Sequence, residues 1–296
     1  MNQSKIIGTG LSGLVGSRIV ELLPQYQFID FSLDTQVDLL DRDNLDAQFQ
    51  LNSDAQIVLH LAAFTDTNGA WLQRGDKNGP CYRLNVIGTQ NILDLCQKYK
   101  KYLIYISTDF VFGGTKEGSY TEDDPPNPIE WYGQTKYLGE KAILESKYPT
   151  AIVRIAFPYR ARYPSKKDVV TKTIDKLQQN QICNLFSDQI TTPTLVDDIA
   201  LGLDYFIQNQ SPGIFHLVAS SFQSVYEMGQ NIAQVFALNP KLIQSNLLAD
   251  YLKTPDARPF AKNLALSNQK VTNLGIKMKT LNQGLQELKL QLSRPL

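Results

Sequence analysis

The chain has 296 residues, of which 43% are hydrophobic, and its 29 basic side chains balance its 29 acidic ones. That length can bury a full hydrophobic core and predicts one large domain or two of unequal size. The balanced charge gives no sequence-wide case for a nucleic acid or an anionic membrane as a partner. No stretch approaches the roughly 20 apolar residues of a membrane span. We therefore expect no nucleic acid and no membrane as partners.

The cysteines and histidines argue against a metal site. Cys81, Cys96 and Cys183 are odd in number and lack C-x-x-C spacing, which disfavours a disulfide framework or a structural zinc site and favours a reducing compartment. His60 and His216 stand alone inside apolar runs, without acidic or cysteine ligands at metal-binding spacing. Because the first residues also show no signal-peptide pattern, we expect a cytoplasmic protein without a bound metal.

Short apolar runs alternate with segments of helical period through the first half of the chain. The runs are rich in β-branched and aromatic residues, as expected of strands that are covered on both faces. They are residues 5–9, 28–31, 56–63, 102–108 and 151–156. The helical segments between them are residues 13–23, 44–49, 82–99 and 132–146. This alternation predicts an α/β fold with a doubly wound parallel sheet, the Rossmann arrangement.

A glycine-rich segment joins the first predicted strand to the first helix. It reads Gly8-Thr9-Gly10-Leu11-Ser12-Gly13-Leu14-Val15-Gly16 and satisfies both G-x-G-x-x-G and T-G-x-x-G-x-x-G. Glycines permit a tight turn and let backbone N–H groups approach a pyrophosphate at the positive end of a helix. A glycine-rich turn without a ligand is the alternative, and the position between strand and helix argues against it. The predicted dinucleotide contacts are Gly10, Leu11, Ser12, Gly13, Leu14, Val15 and Gly16.

The end of the second strand bears on the choice of cofactor. An acidic residue about 20 residues after the glycines would hold the adenosine ribose. Asp30 occupies this place and is followed by Phe31 and Ser32. Because no Arg or Lys stands beside it to bind a 2′-phosphate, the sequence favours NAD over NADP.

The chain divides near residue 157, where a segment with two prolines predicts a loop that leaves the sheet. Later segments with helical or strand patterns are residues 168–179, 214–219, 225–236 and the tail from 264 onward, including 280–292. We predict a dinucleotide-binding domain over 1–156, to which 195–220 returns. A smaller, mostly C-terminal α+β portion is expected over 157–194 and 221–296, where it caps the first.

The Y-x-x-x-K pattern occurs three times, at Tyr132/Lys136, Tyr137/Lys141 and Tyr163/Lys167. About one match is expected by chance, so position must decide between them. Tyr163 precedes a proline in the loop, and Tyr137 lies about 140° round the helix from Tyr132. Tyr132 opens a helix, and Thr108 ends the preceding strand, where parallel sheets bind ligands. Tyr132 and Lys136 are therefore the predicted pair.

These motifs resemble the extended short-chain dehydrogenase/reductase superfamily. The segments that carry the resemblance are the glycine motif, Leu61-Ala62-Ala63, Ser107-Thr108-Asp109-Phe110-Val111-Phe112 and Tyr132-Gly133-Gln134-Thr135-Lys136. Residues 188–194 (DQITTPT) and Ala257-Arg258-Pro259 narrow the resemblance to dTDP-4-dehydrorhamnose reductases. The similarity extends over nearly the whole chain.

The resemblance implies that Thr108, Tyr132 and Lys136 form a catalytic triad. A tyrosine normally has a pKa near 10. A nearby lysine cation and an oxidised nicotinamide would stabilise the phenolate and lower that pKa. Tyr132 would donate a proton to a carbonyl oxygen as hydride reaches its carbon, and Thr108 would hydrogen-bond that oxygen. Lys136 would also bind the nicotinamide ribose.

Further cofactor and substrate contacts are implied by the same resemblance. Those on the cofactor side are Asp38 and Leu39, which resemble the pair flanking the adenine, and Ala62, Ala63 and Thr65, beside the cofactor. Asn85 and Arg258 are the implied substrate residues, and a guanidinium suits a diphosphate. A plain helix asparagine and a surface salt bridge are the respective alternatives. Residues 65–85 depart from the family pattern beside the expected substrate site.

The first functional hypothesis is NADH- or NADPH-dependent reduction of the 4-keto group of a nucleotide-linked 6-deoxy sugar. An NAD-dependent sugar-nucleotide epimerase or dehydratase is the alternative enzyme, since it uses the same triad. A cofactor-binding regulatory subunit without turnover is the alternative from another class. The resemblance also implies a homodimer through helices 82–99 and 132–146.

Overall fold

The computed structural model describes residues 3–165 and 167–294. The strands are β1 (Ser4–Thr9), β2 (Tyr26–Phe31), β3 (Ile57–His60), β4 (Tyr102–Thr108), β5 (Thr150–Ile155), β6 (Pro158–Tyr159), β7 (Cys183–Phe186), β8 (Ile190–Thr191), β9 (Thr194–Leu195), β10 (Gly213–His216), β11 (Gln223–Ser224) and β12 (Ile243–Asn246). The α-helices are α1 (Gly16–Leu22), α2 (Arg42–Leu51), α3 (Thr67–Leu72), α4 (Pro80–Tyr82), α5 (Thr89–Tyr99), α6 (Trp131–Ser146), α7 (Val169–Gln178), α8 (Val196–Asn209), α9 (Val225–Phe236), α10 (Leu248–Tyr251), α11 (Gln269–Asn273) and α12 (Leu281–Ser293).

A six-stranded sheet in the order β10-β5-β4-β3-β1-β2 forms the centre of the molecule, and all its pairs are parallel. Successive side chains enter core clusters on opposite faces; in β1, Ile6 belongs to one cluster and Ile7 to the other. The first cluster joins the sheet to α1 and α8, with Ile19 and Phe206 buried. The second joins it to α2, α5 and α6, with Phe49 among its members. The predicted doubly wound α/β fold is confirmed.

A further core cluster lies in the chain after residue 157. It is formed by α7, α9 and α12, in which Ile174, Met228 and Leu285 are buried. Helix α9 begins where predicted because Ser224 and Glu227 form a capping box. This separate core supports a second portion of the molecule, while the predicted domain boundaries stay predictions.

Several predicted element boundaries are wrong. Segment 82–99 is helical as predicted, but its residues Arg83–Gly88 form a π-helical turn between α4 and α5. Strand β3 ends at His60 and not at residue 63, because its neighbour β1 ends at Thr9. Strand β10 likewise ends at His216 rather than 219. The sequence interpretation also assigned no helix to residues 196–209, which form α8.

The tail is helical only in α11 and α12, and residues 274–280 between them are not helical. Residues 264–268 are not helical, although the sequence interpretation placed the start of the helical tail there. The N–H of Leu264 donates to the carbonyl of Ile190, and the N–H of Leu266 donates to the Thr192 hydroxyl. Backbone groups that could have closed a helical turn are therefore bonded to a neighbouring segment. Across residues 3–165 and 167–294, no helix combines the length and the apolar character needed to cross a membrane.

Candidate active site

The glycine turn packs directly against the chain that follows β3. Gly10 has a φ of +67°, which side chains other than glycine rarely adopt, and a Cβ there would lie 2.7 Å from the backbone nitrogen of Ala62. A Cβ at Gly16 would collide with the carbonyl of Gly10. The glycines at these two positions are therefore required by the close approach of the two backbone segments.

A cavity of about 640 Å³ opens above this turn, at the C-terminal edge of the sheet. The predicted site residues that line it are Gly10, Ser12, Gly13, Leu14, Val15, Gly16, Ala62, Ala63, Thr65, Thr108, Tyr132 and Lys136. The fold thus brings the glycine turn and all three predicted catalytic residues to one cavity. Parallel sheets bind ligands in such a crevice, at the point where the strand order reverses.

The remaining predicted cofactor residues lie outside that lining. Leu11 is buried beneath the turn, and Leu39 is a core residue whose carbonyl accepts a bond from the Asn91 side chain at 2.9 Å. Asp38 is exposed and accepts from the N–H of Leu40 at 2.9 Å. Their contacts with a cofactor stay predictions.

Asp30 lies on β2 directly opposite Gly8 of β1. Its Oδ2 accepts a hydrogen bond from the Ser32 hydroxyl at 2.8 Å, while its buried Oδ1 has no partner among the described residues. A buried carboxylate oxygen without a partner is unfavourable, and a ribose hydroxyl would satisfy it. Together with the glycine turn, this acceptor fits a dinucleotide.

Helix α6 presents Tyr132 and Lys136 to the cavity. The helix begins at this point because the Glu130 carboxylate accepts from the N–H groups of Tyr132 and Gly133. Lys136 follows one turn later and is 2% exposed. Its Nζ donates to the carbonyl of Ile106 at 2.8 Å and lies 4.1 Å from the centre of the Tyr105 ring.

The phenol of Tyr132 has a raised pKa. Burial raises it well above the ordinary value, and the nearby carboxylates of Glu130 and Asp109 raise it further. Burial also lowers the pKa of Lys136 to about 7, so this side chain is a weak cation. The predicted fall of the phenol pKa requires a bound oxidised nicotinamide as well as the lysine cation, and it stays a prediction. The phenol keeps its proton, as a proton donor requires.

Asn85 does not face the cavity. It is fully buried in the π-helical turn, where its Oδ1 accepts from the N–H of Phe64 at 2.8 Å. Its Nδ2 donates to Thr135 Oγ1 at 2.9 Å. These contacts leave its side chain no group directed at a substrate, and the alternative of a structural asparagine fits better. The predicted substrate contact of Asn85 is not supported by this placement.

Arg258 is buried beside the first turn of α6, with 6% exposure, so the alternative of a surface salt bridge is wrong. Its Nε donates to Asn68 Oδ1 at 3.2 Å, and its guanidinium lies 3.9 Å from the centre of the Phe260 ring. Nη1 is 3.8 Å from Glu130 Oε2 and has no hydrogen-bond partner among the described residues. Such a buried, unpaired N–H suits an anionic ligand.

Sequence reasoning missed Asp109, which lines the cavity next to Thr108. Asp109 is 1% exposed. Its Oδ1 accepts a hydrogen bond from the Thr108 hydroxyl at 2.9 Å, and its Oδ2 has no partner in the described part of the chain. Burial raises the pKa of this carboxyl to about 7. The only signal in the sequence was its place in the motif S-T-D-F-V-F, directly after the strand end.

Both histidines are buried and should make the protein sensitive to acid. Burial, together with Lys136 for His60 and Arg154 for His216, lowers each pKa to about 3. Between pH 6.5 and 3 the unfolded chain therefore binds more protons than the folded chain, so the free energy of unfolding falls as pH falls. Each histidine contributes a slope of up to about 1.4 kcal/mol per pH unit.

We expect the His216→Phe variant to show a slope shallower by about 1 kcal/mol per pH unit between pH 6 and 4 than the unmodified protein. Urea unfolding at several pH values measures this slope. The carboxylates, which also titrate in this range, cancel in the comparison. An unchanged slope would show that His216 is charged in the folded protein.

Comparisons with known proteins identify the family of the chain. The model of the RmlD substrate binding domain family matches residues 4–293. A probable low-salt glycan biosynthesis reductase, Agl14, of Haloferax volcanii is 30% identical over 296 residues, or 95% of each chain. Methionine adenosyltransferase 2 subunit beta of Mus musculus is also 30% identical, over 96% of this chain and 86% of its own length.

Solved structures give the same fold. The crystal structure of dTDP-4-dehydrorhamnose reductase from Bacillus anthracis in complex with NADP matches with a TM-score of 0.87 at 24% identity, covering 98% of this chain and 100% of that one. These findings confirm the predicted superfamily, and the relatives named as reductases agree with the predicted class of nicotinamide-dependent oxidoreductase. The chain belongs to the RmlD substrate binding domain family, within the extended short-chain dehydrogenase/reductase superfamily.

Proposed function

We propose that the protein reduces the 4-keto group of a nucleotide-linked 6-deoxy-4-keto sugar, with NADH or NADPH as the source of hydride. The observation that carries this proposal is the convergence of Thr108, Tyr132 and Lys136 on the cavity whose floor is the glycine turn. The family and the relatives named as reductases support the same reaction class.

We propose a place among the described residues for each part of the cofactor. The turn from Gly10 to Gly16 would hold the pyrophosphate, Asp30 the adenosine ribose and Lys136 the nicotinamide ribose. When bound, the reduced nicotinamide supplies hydride to the carbonyl carbon of the sugar. The preference for NAD stays a prediction that rests on Asp30 and on the absence of a basic residue beside it.

Tyr132 supplies the proton in this proposal. Its raised pKa keeps the phenol protonated until negative charge develops on the carbonyl oxygen, which then takes the proton. The Thr108 hydroxyl donates a hydrogen bond to Asp109. It can therefore donate to the sugar oxygen only when Asp109 is protonated or when the hydroxyl rotates. Lys136 adds positive potential near the developing charge.

Arg258 would hold the diphosphate of the substrate. We expect Arg258→Met to raise KM for the nucleotide sugar about 10- to 100-fold, with kcat changed less than about threefold, because a lost charge-assisted bond weakens binding before and during reaction alike. Arg258→Lys should recover only part of the loss, since an ammonium lacks the planar fork. Steady-state kinetics measure both variants.

Arg42→Met is the matched control, since Arg42 is exposed and pairs with Asp94 at 2.8 Å. Its KM should equal that of the unmodified enzyme. If Arg258→Met lowered kcat without changing KM, the diphosphate contact would be wrong.

The proposed reaction is tested with purified protein, a panel of nucleotide-linked 4-keto-6-deoxy sugars and both reduced nicotinamides. We expect one NADH or NADPH to be oxidised for each sugar reduced. Conversion of the sugar without net oxidation would indicate the epimerase or dehydratase alternative. Tight cofactor binding without turnover of any sugar would favour a cofactor-binding subunit, the alternative to which the name of the mouse relative points.

The homodimer through helices 82–99 and 132–146 stays a prediction. Ile87 is 41% exposed in the first segment and Leu144 is 49% exposed in the second, so apolar surface is present on both. Sedimentation of the variant carrying both Ile87→Lys and Leu144→Lys would test whether these residues join two copies.

A further inference from the structure

His60 is a buried histidine that the proposed reaction does not use. It ends β3 and is 1% exposed. Each ring nitrogen has a hydroxyl partner: Nδ1 lies 2.7 Å from Thr9 Oγ1, and Nε2 lies 3.1 Å from Thr89 Oγ1. A neutral imidazole carries one proton, so one nitrogen must donate and the other must accept.

The surrounding bonds determine which nitrogen donates. Thr89 gives its single hydroxyl proton to the carbonyl of Asn85 at 2.8 Å. Its oxygen must therefore accept, and His60 Nε2 must carry the proton. Nδ1 is then the acceptor and takes the hydroxyl proton of Thr9, whose oxygen accepts from the N–H of Ala62 at 3.1 Å. Every group in this chain of bonds has one consistent direction.

One end of this chain of hydrogen bonds lies at the glycine turn. Thr9 stands between Gly8 and Gly10, and Ala62 lines the cavity and packs against Gly10. The turn and the segment after β3 are thus tied together through the Thr9 side chain. A displacement of the imidazole would therefore move the floor of the cavity.

The other end lies at helix α6, which carries Tyr132 and Lys136, two of the three predicted triad residues. The amide of Asn85 donates to Thr135 Oγ1 at 2.9 Å, and the Thr135 hydroxyl donates to the carbonyl of Tyr132 at 2.8 Å. Asn85 lies in the π-helical turn, a distortion that is often found at functional sites. The position of the π-helical turn is therefore linked to the first turn of α6.

Charge also requires a neutral imidazole at this place. The Tyr105 ring is close to both His60 and Lys136: its centre is 5.7 Å from the imidazole centre and 4.1 Å from Lys136 Nζ. A charged His60 would add a second buried positive charge near that ring. Burial and Lys136 lower the pKa of His60 to about 3, which keeps the imidazole neutral.

We propose that His60, as the neutral Nε2–H tautomer, is a positioning residue that holds the glycine turn and helix α6 at a fixed separation. Its effect on catalysis rests on the proposed function, because the separation matters through the distance between the cofactor and the side chains of Tyr132 and Lys136. The tautomer itself can be measured without any substrate.

Nitrogen NMR of protein labelled with ¹⁵N in histidine tests the tautomer. The chain has two histidines, so only two imidazoles give signals, and His216→Phe identifies that of His60. If this variant does not fold, the change produced by Thr89→Val identifies it. We expect a protonated Nε2 and an unprotonated Nδ1, unchanged from pH 5 to 9. A protonated Nδ1, or titration between pH 5 and 8, would overturn the proposal.

A double-mutant cycle on cofactor binding tests the positioning. We expect Lys136→Met to weaken binding of NADH or NADPH about tenfold in the unmodified protein. In the Thr89→Val background, Lys136→Met should weaken cofactor binding less than about threefold. The reason is that the Lys136 ammonium is no longer held opposite the glycine turn. Equal losses in both backgrounds would overturn the proposal.

Thr173→Val is the matched control. Thr173 is a buried helix threonine whose hydroxyl donates to the carbonyl four residues earlier at 2.8 Å, as Thr89 does, but it lies on α7. In this background Lys136→Met should retain its full effect. Failure of the proposed function would instead appear as cofactor binding without reduction of any sugar, with the NMR result and the cycle unaffected.

Discussion

Replacing Tyr132 by phenylalanine should lower the turnover of a nucleotide-linked keto sugar at least about 10³-fold, while cofactor affinity stays within about twofold. The change removes only the hydroxyl that carries the transferred proton. The ring should keep its place, because it packs edge-on against Phe110 with centres 5.7 Å apart. Single-turnover oxidation of NADH and a fluorescence titration of NADH measure the two quantities.

Tyr137→Phe is the control for this prediction. Tyr137 lies on the same helix and also begins a Y-x-x-x-K match, but it packs in a different cluster and does not line the cavity. Its variant should retain full activity. If Tyr132→Phe retained activity, or Tyr137→Phe lost it, the choice between the two motifs would be wrong.

Replacing Glu140 by glutamine should lower the free energy of unfolding by about 3–5 kcal/mol. Glu140 and Arg154 are 0% and 1% exposed, and Arg154 donates to both carboxylate oxygens, at 2.9 and 2.7 Å. The amide keeps the shape of the carboxylate but leaves the guanidinium charge buried without compensation. Urea unfolding at pH 7 measures the loss.

Two comparisons make this prediction specific. Glu145→Gln, at an exposed position on the same helix, should change the free energy of unfolding by less than about 0.5 kcal/mol. The double variant Glu140→Leu with Arg154→Met should recover most of the loss, because a buried ion pair can be replaced by apolar groups of similar volume. A loss below about 1 kcal/mol for Glu140→Gln would contradict the assignment of a buried ion pair.

Glu140 also acts on the site itself. It lies one turn after Lys136 and raises the pKa of that lysine, against the larger lowering by burial. Without the carboxylate, the pKa of Lys136 should fall below about 7, so a smaller fraction is charged at neutral pH. The alkaline limb of the pH–rate profile of Glu140→Gln should therefore shift to lower pH.

The sheet and the glycine turn could be predicted because local pattern determines them. The runs that became β1 and β4 contain consecutive apolar residues, Ile6-Ile7 and Leu103-Ile104-Tyr105-Ile106, which is typical of strands covered on both faces. Gly10 in the motif indicated a positive-φ backbone conformation and a close backbone contact that other residues do not tolerate. Helix α8 has a weaker start signal: Leu195 precedes it without a side-chain cap, and only the acidic residues Asp197 and Asp198 mark its first turn.

The parts of the site that could not be predicted depend on contacts distant in sequence. Asn85 is held by Phe64 and Thr135, and Arg258 meets Glu130 from the far end of the chain. The pKa of Tyr132 depends on how deeply the phenol is buried, which no motif encodes. Periodicity also does not distinguish a short π-helical turn from an α-helix, because their backbone hydrogen bonds differ in span by only one residue.

The position of β10 at the edge of the sheet has a consequence for biosynthesis. This strand pairs with β5, yet residues 156–212 separate the two along the chain. At about 5–20 residues per second, a ribosome needs roughly 3–11 s to synthesise that interval. During this time β5 of the nascent chain is an edge strand, whose unpaired backbone N–H and C=O groups can pair with another chain. Slow decoding between these strands would therefore lengthen the period in which newly made molecules can associate wrongly.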